Sequence, residues 1–87
     1  MSLRIKYTLI AKAHGEKGIV VADYFETFNY HKALETFDDM LTEAKHNQFG
    51  FAGECEVIFT KTMYGLDDKE LGSDQYKIIV HGEGCEL

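Results

Sequence analysis

The chain has 87 residues, of which 45% are hydrophobic and 28% are charged, with a formal net charge of −6. This length predicts one small domain over residues 1–87. The composition excludes intrinsic disorder, and two cysteines are too few for a disulfide scaffold. No apolar run approaches the roughly 18–20 residues that cross a bilayer, and residues 1–4 lack the apolar stretch of a signal peptide. We therefore expect a cytoplasmic protein without membrane contact.

The first 28 residues predict a β-hairpin. Apolar and polar side chains alternate with a period of two from Leu3 to Ala13, which is typical of a half-buried strand. A glycine-bounded turn over residues 14–18 follows, and residues 19–28 are rich in β-branched and aromatic side chains. Apolar groups fall on both faces of this second strand.

An amphipathic helix is predicted next. Asn29 has the short polar side chain of an N-cap, and Gly50 is a candidate C-cap. Between them the apolar residues recur at helical spacing, which predicts about four to five turns with one stripe facing a sheet. This stripe comprises Tyr30, Ala33, Leu34, Phe37, Met40, Leu41 and Ala44.

Two more strands complete the predicted fold. Residues 54–64 alternate again, Leu66 to Leu71 suggests one helical turn, and Tyr76 to His81 reads as a final strand that is apolar on both sides. The prediction is an α+β fold of order ββαββ, with a four-stranded, mainly antiparallel sheet and one long helix packed on one face.

A single helix leaves the other face of the sheet open. Because the second and fourth strands carry apolar groups on both sides, the sequence predicts an exposed apolar patch, and such patches mark interfaces. A second copy of the chain is one candidate cover, since a homodimer needs only one self-complementary surface. The alternative is that residues 65–74 and the C-terminal tail fold over that face.

Acidic side chains cluster on the outer side of the predicted helix, at Glu35, Asp38, Asp39 and Glu43. After residue 18, fourteen acids oppose five lysines. A rigid acidic surface attracts basic partners at long range. We therefore expect a non-enzymatic module that binds another protein, including a basic surface meant for nucleic acid, with Tyr24 or Phe25 anchoring the contact; it would act as an inhibitor or nucleic-acid mimic.

Two other functions are compatible with the sequence. Arg4, Lys6 and Lys12 share the outer face of the first strand, which is the arrangement a nucleic-acid-binding domain would use. A small metal or redox protein would use Cys55, His81 and Cys85, although no CxxC pair is present. Catalytic motifs and Gly-rich phosphate loops are absent from the sequence, so we expect no enzyme activity and no cofactor or metal.

The predicted arrangement is a hairpin, an N-capped helix carrying Tyr30-His31-Lys32-Ala33-Leu34, and a second hairpin. It is similar in outline to several very small phage-encoded inhibitors, including some anti-CRISPR proteins. The resemblance covers element order, length and acidity but no specific motif, so no functional residue is carried over. It implies a small inhibitor by analogy of fold alone.

Overall fold

The computed structural model describes residues 3–15, 18–46 and 54–81 of the chain. Its elements are β1 (Arg4–Gly15), β2 (Gly18–Thr27), α1 (Tyr30–Lys45), β3 (Glu54–Tyr64) and β4 (Glu70–His81). The strands form one antiparallel sheet in the order β2-β1-β3-β4, and α1 contacts all four of them from one side. The predicted ββαββ architecture is confirmed.

The predicted hairpin of β1 and β2 is confirmed, with one irregularity. The register shifts between Ala11 and Lys12, where Asp23 and Val21 are the successive partners and Ala22 is the extra residue. A bulge of this kind bends its strand and increases the local twist. It interrupts the ladder midway along β2, which is an edge strand.

The N-cap of α1 is also confirmed. The Asn29 side chain accepts a 3.0 Å hydrogen bond from the Lys32 backbone N–H, and the helix runs for 16 residues. At its other end the His46 N–H donates to the Thr42 carbonyl, while Gly50 lies outside the described residues. Within the three described ranges no helix is long and apolar enough to cross a membrane.

The expected helical turn between Leu66 and Leu71 is wrong. A tight turn follows β3 instead: the Asp68 N–H donates to the Gly65 carbonyl, and Asp68 has a φ of 61°, a left-handed conformation that aspartate tolerates. Strand β4 then begins at Glu70, six residues before Tyr76. Residues 70–74 therefore pair with β3 rather than folding over the open face.

The core lies between α1 and one face of the sheet, which we call the covered face. The other face of the sheet is called the open face. Three large side chains in the core are fully buried: Leu9, Met40 and Val57. Small residues allow the helix to approach the sheet closely. They are Ala11, Ala13, Ala33 and Ala44, all buried.

Candidate functional site

The open face mixes polar and apolar side chains on both its central and its edge strands. One cross-sheet row of the register runs from Val21 through Lys12 and Glu56 to Ile79. Val21 and Ile79 are exposed, but they lie at opposite edges with charged side chains between them. Charged side chains interrupt the expected apolar patch in this row, whereas the neighbouring row, Tyr24–Ile10–Ile58–Lys77, has two isoleucines at its centre, and Ile58 is buried.

Lys6 is one of the cations on the open face, and Glu26 neutralises it. Lys6 Nζ lies 2.8 Å from Glu26 Oε2 and 5.8 Å from the centre of the Tyr64 ring. The hydrogen bond with Glu26 raises the pKa of Lys6, and the same contact lowers the pKa of Glu26. This pair presents little net charge to a phosphate.

The other two cations of the predicted nucleic-acid site are also flanked by acids. Arg4 pairs with Asp68 and lies 5.5 Å from the centre of the Phe28 ring. Lys12 is the cross-strand neighbour of Glu56. The structure brings Arg4, Lys6 and Lys12 to one face, as predicted, and each of the three has an acidic neighbour among the described residues.

Glu56 links three strands at the centre of the open face. Its carboxylate lies 3.2 Å from His14 Nε2 on β1 and 3.2 Å from Lys77 Nζ on β4. These two contacts lower the pKa of Glu56, with the His14 hydrogen bond the larger cause. The network holds the strands in register on the side of the sheet that has no helix.

The predicted acidic helix face is formed as expected. Glu35, Asp38 and Asp39 are exposed and Glu43 is half-buried. None of the four forms an ion pair with another described residue, and α1 carries four carboxylates against two lysines. We call these four residues the acidic helix exterior; their charge is available to a partner.

The two predicted anchors lie on opposite faces. Tyr24 is exposed on the open face, where it pairs with Ile10, and its hydroxyl contributes to the lowered pKa of Glu26. Phe25 pairs with Leu9 and packs against the core on the covered face. Phe25 therefore cannot act together with Tyr24 on one contact surface.

The residues of the metal alternative are also separated. Cys55 is buried on the covered face, and burial raises the pKa of its thiol. His81 pairs with Glu54, one position from the pair of Cys55 with Val80, so its side chain lies on the open face. Cys85 lies outside the described residues. Among those that are described, no three potential ligands form a metal-binding group.

An apolar groove opens on the covered face, between the first half of α1 and the edge strand β4. Its volume is about 320 Å³. Tyr30 and Tyr76 are 51% and 61% exposed and Leu34 is 42% exposed, so the groove is open to solvent. We call it the aromatic groove; it is lined by Tyr30, Leu34, Phe37, Phe59 and Tyr76.

The rings of the groove form a connected cluster. Phe37 meets Phe59 edge to face at 5.3 Å between ring centres and reaches Tyr76 at 6.3 Å. Tyr7, beneath them, contacts both Phe59 at 5.7 Å and Tyr30 at 5.4 Å. Such pairs hold their rings in place, so the walls of the groove are preformed.

Helical periodicity predicted this stripe of α1 but not the groove, because it treats the whole stripe as covered. The feature that could have predicted the groove is the length of the helix relative to the size of the sheet. A 16-residue helix is about 24 Å long and about 10 Å wide, whereas 12-residue strands in a four-stranded sheet span about 40 Å by 14 Å. One helix cannot cover that sheet, and the large ring of Tyr76 remains uncovered at the edge.

No family model, curated protein or solved structure matches this chain.

Proposed function

We propose that this protein is a non-enzymatic protein-binding module. Its ligand is a basic, amphipathic segment of a partner, which places apolar side chains in the aromatic groove and cationic side chains over the acidic helix exterior. The observation that carries the proposal is a preformed apolar groove against α1, together with exposed carboxylates, Glu35 and Asp38, on the outer side of the same helix that have no cationic partner among the described residues.

The groove supplies the affinity in this proposal. Leu34, Tyr30 and Tyr76 each leave about half of their surface in water. Filling the groove removes that surface from water, and each large apolar side chain that becomes fully buried contributes about 1.5–3 kcal/mol. The rings are already packed against one another, so binding orders few additional side chains.

Electrostatics selects the partner. Asp38 follows the groove residue Phe37 in the chain, and Asp74 lies two residues before Tyr76 on the same face of β4. Lys61 lies opposite Asp74 and offsets part of this charge. The remaining carboxylates attract a cationic segment and repel nucleic acid and acidic proteins.

An inhibitory role is the mode of action that we propose for such a surface. A partner that uses a basic groove to hold phosphates would present both the cations and the apolar neighbours that this site accepts. Occupying that groove would exclude the nucleic acid, because both ligands would require the same cationic side chains.

The test measures the affinity of the protein for two synthetic helical peptides, one built of leucine and lysine and one of leucine and glutamate. We expect the lysine peptide to bind and the glutamate peptide to bind at least about tenfold more weakly. Leu34→Ser should weaken the lysine peptide by about tenfold, since it removes apolar contact from the groove.

Val21→Ser is the matched control, because Val21 is also about half exposed but lies on the open face, on the edge strand farthest from the groove. It should leave the affinity unchanged. Equal binding of the two peptides, or equal loss in the two variants, would refute the proposal.

A further inference from the structure

Strand β4 is an edge strand with an uninterrupted ladder over most of its length. After a register shift at Met63/Tyr64, the ten residues from Gly72 to His81 pair regularly with β3. Their outer backbone groups have no partner among the described residues, since β4 ends the sheet. A long edge of this kind is a template for another strand.

We propose that a second copy of the chain pairs with this edge, β4 against β4, to form a continuous eight-stranded antiparallel sheet. The other edge is less suitable. Its ladder is interrupted by the bulge at Ala22, and its charged residues Asp23 and Glu26 are both acidic. Strand β4 carries Asp74 and Lys77, so its two copies meet without a surplus of one sign near the centre.

Symmetry and charge restrict the register. A two-fold axis normal to the sheet pairs only residues that lie on the same face. Pairing centred on Asp74 opposes two carboxylates, and pairing centred on Lys77 opposes two ammonium groups, which is unfavourable. Pairing centred on Gln75 or Tyr76 avoids both contacts and keeps most of the strand in the ladder.

Such a dimer completes the aromatic groove. The two copies of Tyr76 lie on the same face next to the dimer axis, so the partner's strand extends the floor of each groove. With α1 centred over the sheet, the two helix axes stand about 19 Å apart, four strand spacings. Two helices about 10 Å wide then leave a trough about 9 Å across, which fits one segment of a ligand. This part of the inference rests on the proposed function, but the dimer itself does not.

The size of the edge predicts a weak dimer. Ten residues at about 3.3 Å each give an edge about 33 Å long, and with a thickness of about 10 Å the two copies bury roughly 660 Å². Stable interfaces bury about 1,200–2,000 Å². The dissociation constant should therefore lie between about 10 µM and 1 mM. Repulsion between the acidic helices is screened, because their separation exceeds the Debye length of about 8 Å.

Sedimentation of the free protein tests this proposal. The apparent mass should rise from 9.9 kDa toward twice that value as the concentration increases from about 5 µM to about 1 mM. Gln75→Lys should weaken the dimer by at least about tenfold, since the new lysine faces either its own copy or Lys77 of the partner subunit. Ile19→Lys, on the exposed edge of β2, is the matched control and should have no effect.

A mass that stays at 9.9 kDa throughout, or a dimer that Ile19→Lys abolishes and Gln75→Lys does not, would overturn the proposal. The experiments distinguish failure of the dimer proposal from failure of the proposed function. Gln75 lies on the open face and does not line the groove of a single copy, so below the dissociation constant of the dimer its variant leaves peptide binding unchanged, whereas Leu34→Ser alters the groove without altering the edge.

Discussion

The ring of Phe37 on α1 lies 6.3 Å from the ring of Tyr76 on the edge strand β4. This contact spans the aromatic groove from wall to wall and connects the helix with the outermost strand of the sheet. Tyr76 is 61% exposed while Phe37 is half-buried, so the contact between the two rings extends from the edge of the core to the protein surface. A ligand seated there would extend the packed core of the protein.

The protein should not bind nucleic acid. Lys6 and Arg4 are paired with Glu26 and Asp68, so these two cations would have to leave their acidic partners to bind phosphates. A gel-shift titration with single- and double-stranded probes at about 150 mM salt should show no retention, and Lys6→Glu should change nothing. Retention that weakens steeply with salt and disappears in Lys6→Glu would show that these lysines bind phosphate.

Glu56→Gln should destabilise the fold in a pH-dependent way. The pKa of Glu56 is lowered in the folded state, so its contacts stabilise the fold above its unfolded pKa, and this contribution is lost as the pH falls through the lowered value. Urea denaturation at several pH values should show a difference between wild type and variant at neutral pH that vanishes in acid.

The exposed Glu70→Gln variant serves as the control for Glu56→Gln and should show no such difference. A Glu56→Gln effect that is constant across pH would mean that the carboxylate charge does not matter.

Asn29→Ala should reduce stability by about 1 kcal/mol, because the Lys32 N–H loses its acceptor at the first turn of the helix. Asn29→Asp keeps an acceptor at the same position and should retain most of the stability. Urea midpoints of the two variants provide the comparison. If Asn29→Ala and Asn29→Asp lose stability equally, the cap does not contribute.

The Cys55 thiol should react only when the protein unfolds. It is buried, and burial raises the pKa of the thiol, so little thiolate is present at neutral pH. In a Cys85→Ser variant, a thiol reagent at pH 7 should therefore react far more slowly with folded than with denatured protein. Fast labelling of the folded variant would indicate that this part of the sheet opens readily.

The sequence predicted most of the fold because local patterns report local structure. Alternation identified β1 and β3, and the apolar stripe after Asn29 identified α1. The sequence did not predict that β4 includes residues 70–75, because these residues are mostly polar and show no strand pattern. Their strand conformation is recognisable only from the pairing with β3.

The candidate site was only partly predictable. The acidic helix exterior follows from helical spacing, whereas the groove depends on how far one helix extends over the sheet. The placement of Phe25 depends on the register between β1 and β2, which periodicity alone did not settle, since both faces of β2 are apolar.

A backbone amide chemical-shift map shows whether the aromatic groove is the docking site. The leucine–lysine peptide is added to isotope-labelled protein. If the groove is the docking site, the largest changes fall on Leu34, Phe37 and Tyr76, with smaller changes at Asp38. Changes concentrated on open-face residues such as Thr60 and Ile79, or no changes at millimolar peptide, would contradict it.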